Sequence, residues 1–483
     1  MPSAFLWQHP IPVRYIGGTT PSPGGIDLRY TDLAISSPDD LVFGRAPKPV
    51  SCGFGLTIGQ GAVFPEVNFT LPPLALTSDT WAEAVHHYEE MAEAIVRRAL
   101  ALRVPGLVLE LELLPPMTER PEWGAQLTAL LCEALRRAHD SSGLSSALRV
   151  TIIDLRYASR PPRLREGEYW EGTRASFEQC ADAGAHILSI ESEGGKEVSD
   201  EALLNGDIQG MVFALGVLAC RDMGWLWDQI TAVCRGRGGV LPGGDSACAF
   251  GNTAMQLAHQ RLLPETLAAT VRAMTAPRSL VAFEHGAVGP SKDCAYEGPV
   301  LKAITGCPIS MEGKASACAH FSPVGNIAAA CCDLWSNESV QNVRLLSGFA
   351  PEVFTEILAY DCRLMNEALR RGEERRLRDL MVESDRYTSP QALVLSPEAS
   401  LAIAEAIVGE DSDYGRTAAA ARTAVELIRA ALDEGKMALS DVEVRWLGRI
   451  EQGLAQLPGS EGALIERMIP TYGHLFDPAS YGL

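Results

Sequence analysis

Between about residue 106 and about residue 311, short apolar runs alternate with stretches of helical periodicity, and this alternation limits the possible folds more than any other feature. The runs lie at 106–114, 148–155, 186–190, 210–215, 240–244, 280–283 and 304–311, each followed by a helix-like segment or a crossover. Seven such strand-like runs, close to eight and bracketed by helices, predict a parallel sheet closed into a (β/α)8 barrel. A doubly wound open sheet is the competing α/β arrangement, but it usually carries a Gly-rich phosphate turn after its first strand, and none occurs here. Gly194-Gly195-Lys196 has no Gly at the earlier P-loop position, and Glu197 stands where Ser or Thr is required, so nucleotide binding is rejected there.

The chain divides into three expected parts. Residues 1–45 are Pro- and Gly-rich, as in Ile16-Gly17-Gly18 and Pro21-Ser22-Pro23-Gly24-Gly25, and read as an arm over the body. Residues 46–345 form the catalytic barrel, in which Thr80-Trp81-Ala82-Glu83 reads as a capping box opening a helix through about Leu102. Residues 346–483 form a helical extension. There Ser396-Pro397 is an N-cap followed by Pro, 414–434 is an Ala-rich helix ending before Gly435, and Ser440-Asp441-Val442-Glu443 is a second capping box. The fold class is thus α/β: a TIM barrel with an N-terminal arm and additional C-terminal helices.

Composition narrows the function. With 47% hydrophobic and 21% charged residues the chain has the make-up of a folded protein. A net charge of −20 argues against nucleic-acid phosphates or anionic lipid as the main partner. The longest apolar stretch, 208–220, is about a dozen residues, short of the roughly twenty a membrane span needs. No secretory signal is read at the N-terminus. Twelve Cys without a small-domain framework fit a reducing compartment, so a cytoplasmic protein is expected.

Three segments carry the candidate chemistry. The run 185–190 leads into Glu191, the run 239–242 leads through Gly243-Gly244-Asp245 to Cys248, and 281–283 precedes the loop to Cys294. Each candidate therefore follows an apolar run, where barrel enzymes place their active residues. One carboxylate and two thiolates suit a catalytic zinc with an open fourth position. Glu193 is a rival ligand, and Glu191 could instead be an ion-pair partner of Lys196. Asp245, Lys292 and Asp293 are candidates for groups that orient the ligands. The other ten Cys read as small core residues. His285 and His320 follow apolar runs and read as hydrogen-bonded side chains rather than ligands. No HExxH, paired CxxC, GxSxG or EF-hand pattern occurs.

The segments LSIESEGGKEV (188–198), GGDSACAFGNTAM (243–255), GPSKDCAYEGPVLKAITGCPISMEGK (289–314) and HFSPVGNIAAACCDLWSNESV (320–340) closely resemble the methanol:corrinoid protein methyltransferase family. The likeness is strongest from about residue 180 to 345. It implies a TIM-barrel enzyme whose zinc is held by one Glu and two Cys, falling on Glu191, Cys248 and Cys294. It also implies a separate corrinoid protein that presents cobalt at the barrel mouth, and a dimeric assembly with corrinoid subunits attached. No DxHxxG motif occurs, so this chain is not expected to carry the corrinoid. The implied reaction is transfer of the methanol methyl group to Co(I), with zinc polarising the oxygen. Asp245 or Glu193 is the expected acid beside the leaving oxygen. The alternatives are another small methyl donor, such as a methoxylated compound, or a zinc-binding scaffold for the corrinoid protein.

Overall fold

The structure, a computed structural model, describes residues 28–70, 74–292, 294, 296–340, 344–346 and 348–483. The Gly- and Pro-rich motifs before residue 28, and Asp293, lie outside the described residues. Residues 28–35 run over the body, with Ala34 N donating to Ile304 O and Ile35 N to Ala303 O.

An antiparallel hairpin, β1 (Arg45–Cys52) and β2 (Leu56–Gln60), comes first. It is tied to the barrel floor by paired hydrogen bonds between Phe54 and Ser146. Cys52, Leu56 and Ile58 pack there on Phe64, Val108, Ala147, Ile187 and Leu334, at or near the starts of five barrel strands. Seven strands then form one parallel sheet: β3 (Phe64–Thr70), β4 (Leu107–Glu112), β5 (Ser146–Ile153), β6 (Ile187–Glu191), β7 (Leu241–Asp245), β8 (Ser310–Glu312) and β9 (Leu334–Val340), in the order β7-β6-β5-β4-β3-β9-β8. The two edges are joined by residues 288–291. Val288 N and Gly289 N donate to Pro242 O and Gly243 O on β7, and Ser291 pairs in parallel with Ile309 beside β8. The barrel therefore closes through an eighth segment too short and too rich in Gly and Pro to form a full ladder.

Strand residues two apart share a face, and the polar ones meet inside the barrel. Arg149 Nε donates to Glu66 Oε1 at 2.7 Å and Nη1 to Ser189 Oγ at 2.9 Å. One layer higher, Thr151 Oγ1 donates to Glu110 Oε1 at 2.7 Å and Asn68 Nδ2 to Glu112 Oε2 at 2.8 Å. The outer faces pack on helices such as Trp81–Leu102 and Pro121–Ser142.

Several expected strands are corrected. Residues 280–283 lie inside the helix Glu265–Glu284, which is buried at every position but its first. Residues 210–215 are helical, in Ile208–Phe213 and the π-helical turn that continues it to Ala219. Only Ser310–Glu312 of the run 304–311 is strand, since the helix Gly298–Thr305 precedes it. Buried helices are apolar all round, so their composition matches that of a buried strand. Conversely, β3 and β9 were not foreseen, because Glu66, Asn68, Asn337 and Glu338 interrupt their apolar character.

The capping expectations divide. Ser396 and Ser440 accept from Ala399 N and Glu443 N as N-caps should. The Glu443 carboxylate does not reach back but caps another helix, accepting from Glu265 N and Thr266 N. Thr80 makes no side-chain cap; its hydroxyl donates to Ala75 O. Among the described residues no helix is long and apolar enough to cross a membrane.

Candidate metal centre at the barrel mouth

Glu191 is the last residue of β6, and Cys248 opens the helix Cys248–His259 three residues beyond β7. Cys294 lies in the loop after the closing segment 288–291, not after a strand at 280–283 as expected. The fold brings all three together, with a carboxylate oxygen and both Sγ atoms within 4.8 Å of one another. Cys294 Sγ lies 3.1 Å from Glu191 Oε1. Tetrahedral zinc with ordinary Zn–S and Zn–O bonds sets its sulfur and oxygen ligands about 3.5 Å apart, so the cluster needs little movement to close on an ion.

The protonation of the thiols points the same way. Cys248 accepts a hydrogen bond from Cys294 that favours its thiolate, yet burial and the charge of Glu191 push it up to about 12. Cys294 stands well above the ordinary thiol, because it donates that bond and is itself buried beside Cys248 and Glu191. Two buried thiols facing a carboxylate need a nearby positive charge to ionise, and a bound dication deprotonates its thiol ligands. The donor set therefore fits a zinc ion. Asn252 Nδ2 donates to Cys248 Sγ at 3.0 Å and so steadies the developing thiolate.

The remaining sequence candidates separate by position. Lys196 pairs with Asp200, not with Glu191. The partner of Glu191 is Lys292, whose buried Nζ lies 3.3 Å from Glu191 Oε1, 3.2 Å from Glu110 Oε1 and 3.7 Å from Glu112 Oε2. Asp245 is 1% exposed and is held by Arg278, Ser192 and Trp227. Glu193 is pushed up to about 7 by burial and by Asp154, and its backbone N–H donates to Asp154. His285 is hydrogen-bonded to Asp228, as expected of a satisfied histidine.

The sequence reading missed the mouth's strand-borne carboxylates. Glu110 and Glu112 on β4 lie against Lys292, Glu312 on β8 faces Cys248, and Glu338 on β9 faces Glu112. Burial and the charges of Glu191 and Glu338, opposed by Lys292, push Glu112 up to about 7. The available signal was an acidic residue at alternate positions of an apolar strand, as in Leu107-Val108-Leu109-Glu110-Leu111-Glu112, where only the barrel interior can receive it. His320, read as an ordinary satisfied side chain, sits between Glu312 and Glu338.

Comparison with known proteins agrees with this architecture. Residues 27–482 match the family described as methanol-cobalamin methyltransferase B subunit. The chain is 39% identical over 461 residues to the methanol–corrinoid protein co-methyltransferase of Methanosarcina barkeri, covering 94% of this chain and 99% of that protein. It superposes on a chain of the crystal structure of the methanol:cobalamin methyltransferase complex MtaBC from Methanosarcina barkeri with a TM-score of 0.91 at 38% identity, covering 94% of this chain and 100% of that one.

Proposed function

We propose, from the premise that this chain belongs to the methanol-cobalamin methyltransferase B subunit family, that it is a zinc-dependent enzyme moving the methyl group of methanol to Co(I) of a separate corrinoid protein. The observation that carries the metal assignment is the convergence of Glu191, Cys248 and Cys294 at the C-terminal end of the barrel. When bound there, zinc supplies Lewis acidity to an alcohol oxygen, which lowers the cost of expelling hydroxide, a very poor leaving group.

The chain's own residues do the rest. Two thiolates and a carboxylate give the ion a net negative ligand set, which suits holding an alcohol more than activating water. Lys292 fixes the Glu191 carboxylate and offsets part of that charge. Glu112, pushed up to about 7, holds a proton near neutral pH within the same group of charges and is the candidate donor to the departing oxygen. Asp245, the acid expected from sequence, is committed to Arg278 and acts as a positioning residue. All twelve cysteines are free, in keeping with a cytoplasmic enzyme. The corrinoid protein as partner and a dimeric assembly complete this reading.

The test is metal analysis together with a visible-spectrum assay for methylcobalamin formation from methanol and Co(I) corrinoid protein. Wild type is expected to hold zinc and form the methyl product, and Cys248→Ala to lose both. Wild type that holds zinc but takes no methyl from methanol overturns the substrate. Retention of zinc and activity by Cys248→Ala overturns the site.

A further inference from the structure

Next to the sulfur-rich trio the mouth holds a second convergent set of donors. Glu312 ends β8, His320 follows the helix Lys314–Ala319, and Glu338 lies late in β9. One ligand atom of each lies within 4.8 Å of the others. His320 Nδ1 is 2.8 Å from Glu312 Oε1, and Nε2 is 3.5 Å from Glu338 Oε2. We propose that Glu312, His320 and Glu338 form a second divalent-cation site, with an oxygen- and nitrogen-donor set distinct from the thiolate site. The proposal does not rest on the methyl-transfer reading.

Three observations support it. The first is charge. Glu110, Glu191, Glu312 and Glu338 gather around two cationic side chains, Lys292 and His320, and Glu112 lies among them, under the charges of both Glu191 and Glu338. The carboxylates there outnumber the two cations, so the mouth favours a further cation.

The second is support behind the ligands. The Tyr296 hydroxyl donates to Glu312 Oε2, fixing one carboxylate oxygen while Oε1 faces His320. Ser316 accepts from Glu338 N through Oγ at 2.7 Å and donates its own N–H to Asn337 Oδ1 at 3.0 Å, so the segment leading to His320 is stitched to β9. A Cβ on Gly313 would lie 2.7 Å from Ser336 O, so the two chains approach as closely as glycine permits. Ligands held by such outer partners keep their orientation when the ion is absent.

The third is access. The side chains of His320 and Glu338 are 22% and 34% exposed, whereas that of Glu312 is 1% exposed, giving an entry path from one side and a fixed base on the other. Two carboxylates and an imidazole suit a hard or borderline dication such as Mn2+, while the thiolate trio selects zinc. Binding displaces the imidazolium proton of His320 to solvent.

The experiment is a MnCl2 titration, followed by electron paramagnetic resonance, of wild type loaded with one equivalent of zinc and of Cys248→Ala without zinc. Both are expected to immobilise one Mn2+, with a nitrogen hyperfine coupling from His320 in the pulsed spectrum. Glu338→Gln is expected to weaken Mn2+ at least tenfold, and His320→Ala to remove the nitrogen coupling, with native near-ultraviolet circular dichroism confirming the fold of each. Mn2+ left in its aqueous spectrum by both proteins overturns the site, as does wild-type affinity in Glu338→Gln. Loss of methyl transfer with Mn2+ binding intact would count against the proposed function only.

Discussion

Arg278 and Asp245 meet as a fully buried ion pair, with Nη2 3.0 Å from Oδ1, and both groups also hold Ser192, the residue after Glu191. Asp245 accepts from Ser192 Oγ at 2.9 Å and Trp227 Nε1 at 3.2 Å, and Arg278 donates to Ser192 O at 2.8 Å. One ligand-bearing loop is thereby tied to the strand end that leads to Cys248. Asp245→Asn leaves the guanidinium buried without its counter-charge, which costs about 3–5 kcal/mol. The expected outcome is a marked fall in denaturant midpoint together with weaker zinc retention against a chelator. Equal zinc retention in the variant would show that the pair stabilises the barrel without positioning the ligands.

The turn after Glu191 depends on two glycines. A Cβ on Gly194 would lie 2.3 Å from Asp222 Oδ2, and that carboxylate cannot retreat because Arg156 grips both its oxygens at 2.8 Å. Gly195 has φ +86°, and a Cβ there would approach Ala214 O to 2.8 Å. Gly194→Ala is therefore expected to displace the Glu191 loop, lowering both thermal stability and zinc content. Gly462→Ala, on an open helix face where a Cβ meets nothing, is the control: zinc content should stay unchanged and thermal stability should rise slightly, since Ala favours helix over Gly.

How far the molecule was legible from sequence follows from which signals are local. The candidate trio was legible because Glu191, Cys248 and Cys294 each lie in or beside a polar, Gly- or Asp-containing stretch that follows an apolar run, which set the two cysteines apart from the ten read as core. The barrel was legible as an alternation, but its individual strands were not. The helix Glu265–Glu284 is buried almost throughout and loses its polar stripe, so it reads as strand, while β9 carries Asn337 and Glu338 toward the mouth and reads as loop. The closing segment 288–291 has no propensity signal, since Gly289 and Pro290 both disfavour a strand and pairing on both sides overrides them. Lys292 was legible as a polar neighbour of Cys294 but not as the partner of Glu191, which depends on β4 and β6 lying side by side with β5 in the ring.

Lys292 offers a direct probe of that mouth. Its Nζ, 1% exposed on its side chain, serves Glu110, Glu112 and Glu191 together. Lys292→Met removes the cation and leaves these carboxylates crowded, so the metal-free variant should lose about 3–5 kcal/mol of stability. A zinc ion on Glu191 restores positive charge at the same place. Zinc addition is thus expected to raise the melting temperature more in Lys292→Met than in wild type, checked by calorimetry with and without chelator. A smaller zinc response in the variant would mean that Lys292 is needed to orient Glu191 for the metal.

The glycine turn is also tied, through Tyr481 and Glu197, to the C-terminal segment and to pH. Tyr481 donates its hydroxyl proton to Glu197 Oε1 at 2.8 Å and accepts from Gly195 N at 2.8 Å, so the end of the chain supports the glycine turn. Burial pushes Glu197 up to about 7 against the opposing effect of the Tyr481 hydrogen bond, and Glu197 Oε2 is buried without a hydrogen-bond partner. Because the folded-state value lies above the ordinary 4.5, the folded protein prefers the neutral carboxyl. The stability this group contributes is fully present below about 4.5 and is lost as pH rises through about 7, a change of about 3 kcal/mol at most. Glu197→Gln keeps the acceptor for Tyr481 and carries no charge at any pH. Its unfolding midpoint should therefore exceed that of wild type at pH 8 and approach it at pH 5, measured by urea denaturation at both values. A gap of the same size at the two pH values would show that Glu197 titrates near its ordinary value and that the turn it supports is insensitive to its charge.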